Sequence, residues 1–206
     1  LHTLNQRKKL KKNLKSFFPQ RVKRAKSRAR RRNLKFKLGF QDEARYGRIT
    51  NPKRCWAPKG IRPIAPKQII REYTYAYGVA FPNDGDFDGL ILPRMDTGSM
   101  NVFLKEISER YPQNYILMVV DGAACHRGGE LKIPKNIELL QLPPYSPQLN
   151  PVENLWDEMR EKWFGNAVFE SMDAVESRLV SALLNFESNK TLIKSITAWD
   201  WITNPI

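Results

Sequence analysis

The stretch from Ile137 to Trp156 constrains the fold more than any other part of this chain of 206 residues. Its first part, up to Leu142, has the composition of a short strand, and the loop that follows contains three prolines, which fix φ and interrupt ladder hydrogen bonds. Asn150 then occupies the position of a helix N-cap, and Pro151 occupies the first helical position. The order predicts a strand, a stiff loop and a helix with a defined start.

Glu153 lies three residues after Asn150, and two interpretations of its carboxylate are open. In a capping box, an acid at this position bonds back to the backbone of the N-cap residue. Alternatively, the helix packs an apolar stripe on a sheet, and Glu153, at the edge of that stripe, points across the sheet's end toward other acids. The stripe consists of Val152, Leu155, Trp156, Met159 and Trp163.

The positive charge of the chain is concentrated at its N-terminus. Residues 1–41 hold 16 of the 35 Lys and Arg and none of the 21 Asp and Glu, so the remaining 165 residues carry 19 basic and 21 acidic groups. A basic block beside a near-neutral globular part is typical of an arm that binds a polyanion. A solvated linker and a patch for an anionic membrane are the alternatives.

The predicted arm covers residues 1–33, and residues 34–206 form the predicted globular domain. An apolar stripe predicts a short helix that ends at Pro19. The residues after the proline have a thinner stripe and are expected to order only on a partner. The first stripe comprises Leu10, Leu14, Phe17 and Phe18, and the second comprises Val22, Ala25 and Ala29. The candidate phosphate-binding side chains are Arg24, Arg28, Arg31, Arg32 and Lys35.

The chain has the marks of a protein that is neither exported nor embedded in a membrane. No apolar run reaches the roughly 18 residues of a membrane span, and the basic N-terminus lacks an apolar signal core. The two cysteines, Cys55 and Cys125, have no metal-ligand spacing. We therefore expect a soluble protein in a reducing cytoplasm, at the nucleoid if it binds DNA.

The domain is predicted to be an α/β fold with a five-stranded mixed sheet flanked by helices. Alternation from Leu34 to Phe40 predicts a first strand that ends in acids. Tyr73 to Phe81 and a strand ending at Leu92 form a hairpin, and a helix capped by Thr97 or Ser99 follows. The continuous apolar run from Tyr115 to Val120 predicts a central strand. The predicted order is β-β-β-α-β-β-α-α, and the last helix runs from Met172 to Phe186.

The hairpin turn resembles the opening of a calcium-binding loop, but the rest of the pattern fails. Asp84, Asp86, Asp88 and Gly89 match the first positions, whereas the twelfth position, which should be a bidentate Glu, is Met95. We therefore do not expect calcium here.

Three carboxylates share one structural context. Asp42 ends the first predicted strand, Asp121 ends the buried strand, and Glu153 begins a helix. Glu43 competes with Asp42, and Asp121 could simply terminate a strand before Gly122. Close carboxylates repel unless a cation lies between them, and Mg²⁺ or Mn²⁺ prefers such oxygen ligands. Two such ions support hydrolysis and transfer of phosphodiesters. The predicted metal site would therefore act on the same kind of polyanion that the arm binds.

Five segments together resemble the catalytic domain of mariner-type DDE transposases, especially the bacterial insertion-sequence branch. They are Phe40 to Arg45, Trp56 to Gly60, Val120 to His126, Leu142 to Pro147 and Leu149 to Glu153. The resemblance implies a ribonuclease H-like fold, two catalytic Mg²⁺ or Mn²⁺ ions, and an acidic triad of Asp42, Asp121 and Glu153.

The implied function is cleavage of double-stranded DNA at element ends and strand transfer into target DNA, and a homodimer in a synaptic complex is compatible with it. A structure-selective nuclease and a DNA-binding protein that has lost catalysis are the alternatives. The family usually has helix-turn-helix modules ahead of this domain, and we do not expect them in this sequence, which is therefore expected to be either a fragment or a second reading frame of an element. His126 recurs in the family motif, although a structural role is favoured. Trp56, Tyr73, Tyr75 and Tyr77 are expected in the core or hairpin rather than as base-stacking platforms.

Overall fold

The computed structural model describes residues 2–50, 52–54, 56–122, 130–143 and 146–204, and for residues 2–16 the backbone alone. The predicted order of five strands and three helices is observed, and these elements are preceded by one long helix and followed by two short ones. In chain order they are α1 (His2–Arg31), β1 (Lys35–Ile49), β2 (Ile69–Phe81), β3 (Asp86–Leu92), α2 (Thr97–Arg110), β4 (Asn114–Val120), β5 (Ile137–Gln141), α3 (Val152–Lys162), α4 (Met172–Ser188), α5 (Lys190–Thr197) and α6 (Asp200–Thr203).

The five strands form one mixed sheet in the order β3-β2-β1-β4-β5. β1 pairs antiparallel with β2, and β2 pairs antiparallel with β3, as the hairpin signals predict. β4 and β5 are parallel to their neighbours, so β1 lies at the centre with a partner of each kind. The predicted sheet of three antiparallel and two parallel strands is confirmed.

Helices cover both faces of the sheet. α2 packs on one face through Met100, Phe103, Leu104 and Ile107, against β-strand residues such as Val79. The other face carries α1, α3, α4 and α5, with the indole of Trp156 fully buried among them. Because β4 is covered on both faces, its side chains from Tyr115 to Val120 are all buried, which explains the continuous apolar run.

α1 corrects the prediction for the arm. The helix continues through Pro19 to Arg31 instead of ending at the proline. The residues of the second stripe, together with Phe18, are at most 3% exposed and belong to the core. Their burial on the sheet offsets the hydrogen bond lost at Pro19 and orders this half of the helix without a partner. For residues 1–16 the predicted separation from the domain stays a prediction.

The direction of α1 follows from its contacts with β1. The ring centroids of Phe18 and Phe40 are 6.4 Å apart, and Lys26 Nζ lies 5.7 Å from the centroid of the Phe36 ring. The N–H of Leu34 donates to the carbonyl of Ala29 at 3.0 Å. α1 therefore runs antiparallel to β1, and its first half extends past the end of the sheet at which β4 terminates. In the described part of the chain, no helix combines the length and apolar character needed to cross a lipid bilayer.

β1 is longer than the sequence indicates. The prediction that it ends at the acids after Phe40 is wrong, because the strand continues to Ile49 while paired with β2. After Phe40, β4 no longer pairs with β1, and β2 supplies the hydrogen-bond partners of the backbone. Polar side chains after Phe40 therefore do not end the strand. Tyr77 is buried as expected, whereas Trp56 lies in the connection between β1 and β2 and is 103% exposed.

The acids of the hairpin turn bind cations of the chain itself. Lys37 Nζ lies 2.6 Å from carboxylate oxygens of both Asp84 and Asp86, and Lys190 Nζ lies 2.7 Å from the second oxygen of Asp86. Asp88 accepts from Arg110 at 2.9 Å. These ion pairs lower the pKa of Asp86 through its hydrogen bonds to Lys190 and Lys37, against the effect of burial. The acids therefore fasten the hairpin to the rest of the fold, which is a structural role.

The cap of α2 is Asp96 rather than Thr97 or Ser99. Its carboxylate accepts from the backbone N–H of Ser99 at 2.8 Å. The prediction was wrong by one residue for Thr97 and by three for Ser99, because Asp, Thr and Ser are all good caps and here stand close together in the sequence.

Candidate active site

Asp42 lies within β1, on the face that carries α3. The last residue pair between β1 and β4 is Phe40 with Val119, two residues before Asp42 and Asp121 respectively. Asp42 and Asp121 are therefore level with each other, although only β4 ends there. Asp42 is 6% exposed, and its Oδ2 accepts from the indole Nε1–H of Trp156 at 3.0 Å. Asp121 directly follows β4 and is half-buried.

Asn150 fastens the start of α3 to this end of the sheet. Its Oδ1 accepts from the N–H of Val152 at 3.2 Å, so its side chain caps the start of the helix as predicted, from the position before Pro151. Its Nδ2 donates to the backbone carbonyl of Gln41, the residue before Asp42, at 2.9 Å, and this bond is buried. α3 begins at Val152, one residue later than predicted, although Pro151 already has helical φ and ψ of −68° and −16°. One side chain thus sets both where the helix begins and which strand it contacts.

The geometry separates the two interpretations of Glu153. A capping box would need the Glu153 carboxylate to accept from the N–H of Asn150. That N–H donates instead to the carbonyl of Pro147 at 2.8 Å. The capping-box interpretation is therefore not supported, and the half-buried carboxylate of Glu153 is available for another role.

The three carboxylates are close enough to affect one another. Burial raises the pKa of Asp42 well above its usual range, and the charges of Glu153, Glu43 and Asp121 raise it further. Burial also raises the pKa of Glu153, Arg160 lowers it, and Asp157 and Asp121 raise it. A bound cation would relieve this repulsion.

Glu43 also contributes to the field at Asp42, but it lies on the other face of β1. Side chains alternate along a strand, so Asp42 shares its face with Phe40 and Ala44, toward α3, while Glu43 faces the side of α2. The choice between the two acids, which the sequence left open, therefore favours Asp42.

The chemistry of this donor set fits a hard divalent cation. Three carboxylates from three separate elements offer only oxygen ligands, which suits Mg²⁺ or Mn²⁺. Among the residues that the structure describes, no three His, Cys, Asp or Glu side chains already form a group that could hold a metal ion. Binding would therefore require Asp42, Asp121 and Glu153 to converge. His126, Cys55 and Cys125 lie outside the described residues.

The candidate DNA-binding residues of the arm fall into two groups. Arg28 Nη1 lies 2.7 Å from Glu138, and the guanidinium of Arg32 lies 5.1 Å from the centroid of the Tyr115 ring and donates to the carbonyl of Lys135. The hydrogen bond and charge of Glu138 raise the pKa of Arg28. Arg24, Arg31 and Lys35 are exposed, and for these three no ion pair is found among the described residues.

These residues lie far from the carboxylates. Lys35 is the first residue of β1 and Asp42 is seven residues further, a separation of roughly 23 Å along a strand. The second half of α1 lies beside the same part of the sheet. Any phosphate that these side chains bind is therefore remote from a phosphate held at Asp42.

Two contributors to this site were not identified from the sequence. Trp156 was assigned to the apolar stripe alone, although a buried indole usually finds an acceptor, and that signal could have pointed to a nearby carboxylate. Gly78 is the β2 residue paired with Asp42, and a Cβ there would lie 2.6 Å from the Trp156 ring. The indole reaches Asp42 because position 78 has no side chain.

Comparison with known proteins identifies the family of this chain. The model of the family described as DDE superfamily endonuclease matches residues 37–176. The uncharacterized protein y4pE/y4sA of Sinorhizobium fredii (strain NBRC 101917 / NGR234) is 35% identical over 130 residues, which are 63% of this chain and 96% of that protein.

Solved structures of Mos1 share the fold. The Mos1 transposase paired-end complex with left transposon end has a TM-score of 0.59 and 14% identity, over 92% of this chain and 62% of that one. The Mos1 mariner paired-end complex with Mn has a TM-score of 0.60 and 15% identity, over 92% and 58% of the two chains. The chain spans about three fifths of the length of these Mos1 chains. The fold and the family match confirm the predicted resemblance, and the chain belongs to the DDE superfamily endonuclease family.

Proposed function

We propose that this chain is the catalytic domain of a DNA transposase, which cleaves a DNA strand at an element end and joins the freed 3′-hydroxyl to target DNA. The observation that supports the proposal most is that Asp42, Asp121 and Glu153 all lie at one end of the sheet, where the charges of Glu153 and Asp121 raise the pKa of Asp42, and that Asn150 fastens α3 to β1. The family supports the reaction class.

Each carboxylate has a distinct support. Asp42 accepts from the Trp156 indole at Oδ2, which holds its carboxylate in one orientation. Asp121 directly follows the end of β4, which lies between β1 and β5, and Glu153 lies in the first turn of α3. When bound by these three residues, two Mg²⁺ or Mn²⁺ ions would activate a water or a 3′-hydroxyl and stabilise the leaving oxygen. Mos1 paired-end complexes have been solved with Mn and with Mg.

The partner of the site is double-stranded DNA, at the element ends and at the target. The basic arm supplies affinity that does not depend on sequence. Two copies of the chain would hold two ends together, a proposal supported by the paired-end complexes of Mos1. Work on chromosomal DNA would place the protein at the nucleoid in the cytoplasm.

The test is incubation of the protein and Mg²⁺ with a plasmid that carries the element's ends. Joined products would support transposition, whereas nicks without joining would indicate a nuclease. DNA binding with neither product would indicate a protein that has lost catalysis. The Asp121→Asn protein is the control, and products that survive this substitution would come from another enzyme.

A further inference from the structure

A pocket lies beside the carboxylates, where the ribbon of β1 and β2 extends beyond the rest of the sheet. It has a volume of about 270 Å³. The ribbon forms one wall, and the end of α3 with the connection from α3 to α4 forms the other. Among the lining residues are Arg45, Tyr46, Lys53, Tyr73, Arg160 and Phe164. We refer to it as the Tyr46 pocket.

Hydrogen bonds across the two walls hold the pocket open. Gln68 Nε2 donates to the carbonyl of Phe169 at 2.9 Å, and the N–H of Phe169 donates to Gln68 Oε1 at 3.2 Å. The N–H of Lys53 donates to Asn166 Oδ1 at 2.8 Å, and Asn166 Nδ2 donates back to the carbonyl of Lys53 at 3.1 Å. Arg48 Nε adds a bond to the carbonyl of Phe169 at 3.0 Å. The walls are therefore joined at two places, and the pocket is part of the fold.

The lining combines positive charge with aromatic rings. Arg45 lies 4.5 Å from the centroid of the Tyr73 ring, and Arg160 lies 5.8 Å from that of Tyr46. Arg160 also contacts Asp157 at 3.4 Å, whereas the ion pairs of the described residues include none for Arg45 or Lys53. Guanidinium groups and aromatic faces together are the groups with which proteins bind single-stranded nucleic acid.

Tyr46 lines the pocket, and its hydroxyl is unusual. Tyr46 is 4% exposed, and its hydroxyl is buried with no hydrogen-bond partner among the described residues. A buried polar group of this kind is rare, because it has lost water without gaining another partner. A ligand in the pocket could supply that partner, since a phenol donates as well as accepts.

The pocket lies within reach of a DNA strand bound at the carboxylates. Tyr46 follows Asp42 by four residues on the same face of β1, which is roughly 13 Å along a strand. In B-form DNA, one strand advances about 3.4 Å for each nucleotide. The pocket is therefore only a few nucleotides from a phosphate held at Asp42.

We propose that the Tyr46 pocket binds one unpaired nucleotide of the DNA strand that leads away from the carboxylates. The base stacks on the aromatic wall, its phosphate contacts Arg45 and Lys53, and the Tyr46 hydroxyl bonds to the nucleotide. A pocket of this volume admits a single nucleotide and not a base pair, so the bound nucleotide must leave the duplex. This inference rests on the proposed function, because it takes DNA as the substrate.

Binding without metal tests the proposal separately from catalysis. The full chain in EDTA is titrated against a 30-base-pair duplex and against the same duplex with three unpaired nucleotides at the 3′ or the 5′ end, with fluorescence anisotropy as the readout. We expect one of the overhangs to bind about tenfold more tightly than the intact duplex, and most of this gain to be lost when the overhang is abasic.

Variants assign the preference to the pocket. Arg45→Gln and Tyr46→Phe should each reduce the preference for the overhang by several-fold, and Tyr46→Phe should leave Tm unchanged or raised, because it removes a hydroxyl without a partner. Lys105→Gln is the matched control, since it removes one positive charge from α2 on the opposite face. It should leave the preference unchanged.

The proposal is overturned if the overhang gives no preference, if an abasic overhang binds equally well, or if both pocket variants keep the wild-type preference. In each of these cases, binding to the intact duplex leaves the proposed function standing. If neither DNA binds, both proposals fail.

Discussion

The indole N–H of Trp156 donates to Oδ2 of Asp42 at 3.0 Å, and both residues are buried where α3 crosses β1. The bond joins the helix that carries Glu153 to the strand that carries the most buried carboxylate of the site. It fixes the side chain of Asp42 and stabilises its charged form, although burial and neighbouring acids still raise its pKa.

Trp156→Phe should therefore destabilise the protein. The substitution leaves a buried carboxylate oxygen without its donor, at a cost of about 1–3 kcal/mol, and creates a cavity whose cost adds to this. Denaturant unfolding of the variant, alone and combined with Asp42→Asn, measures the effect. The loss should be smaller in the Asp42→Asn background, because a neutral acceptor makes a weaker bond. An equal loss in both backgrounds would show that the indole acts by packing alone.

Asp42→Asn should stabilise the metal-free protein near neutral pH while abolishing cleavage. It removes a buried charge that three neighbouring acids disfavour. Above the raised pKa of Asp42, the buried charge destabilises the folded wild-type protein. As the pH falls through that pKa, the folded state takes up a proton that the unfolded state does not yet bind, and the destabilisation is lost. At pH 7, each kcal/mol gained in the free energy of unfolding should raise Tm by about 2–4 °C.

The gain should shrink as the pH falls toward the ordinary pKa of Asp, about 3.9. Thermal scans of both proteins from pH 7 to pH 4 in EDTA measure it. A gain that stays constant over this range would show that the Asp42 charge is not the cause.

Asn150→Ala should cost about 2–4 kcal/mol of stability, because it removes both a helix cap and the buried donor to the Gln41 carbonyl. Asn150→Ser is the matched control, since a Ser hydroxyl can cap the helix but is too short to replace the bond to β1. In urea unfolding, the stability of Asn150→Ser should lie between that of the wild type and that of Asn150→Ala. If Ser is as stable as the wild type, the link to β1 contributes nothing.

Asp121→Asn and Glu153→Gln should each lower the rate of Mg²⁺-dependent cleavage by roughly 10²–10³-fold or more, with little change in Tm. Both substitutions keep volume and remove charge. Glu153 is informative because the N–H of Asn150 is already bonded to Pro147, so helix capping does not depend on the acid. Plasmid cleavage and thermal scans measured together test this, and normal cleavage by either variant would remove that residue from the triad.

The arm should bind DNA through part of its arginines. Each phosphate contact adds about 0.9 to the magnitude of the salt slope, so Arg24→Ala with Arg31→Ala should lower it by about 1.8 on any sequence. Arg28→Ala with Arg32→Ala should change the slope little, because these side chains contact Glu138 and Tyr115.

The measurement is DNA affinity as a function of salt concentration for both pairs of variants. If all four arginines contact phosphates, replacing all of them should lower the magnitude of the salt slope by roughly 3–4. An unchanged slope for both pairs would identify the arm as a solvated segment. A loss confined to element ends would show that the arm reads bases.

The sequence by itself determined the local elements of the site. The N-cap at Asn150, the proline in the first turn of α3, the hairpin and the apolar run of β4 all depend on residues close together in the chain, where periodicity and capping act. These signals were enough to predict the order of strands and helices along the chain and to nominate Asp42, Asp121 and Glu153.

Only the tertiary structure decided how those elements meet. The continuation of β1 past Asp42 depends on pairing with β2, and the burial of the second half of α1 depends on the sheet beneath it. The bonds from Trp156 to Asp42 and from Asn150 to Gln41 join residues more than 100 positions apart. Such contacts arise when distant apolar faces are buried together, so their free energy belongs to the packed fold and leaves little trace in the local sequence.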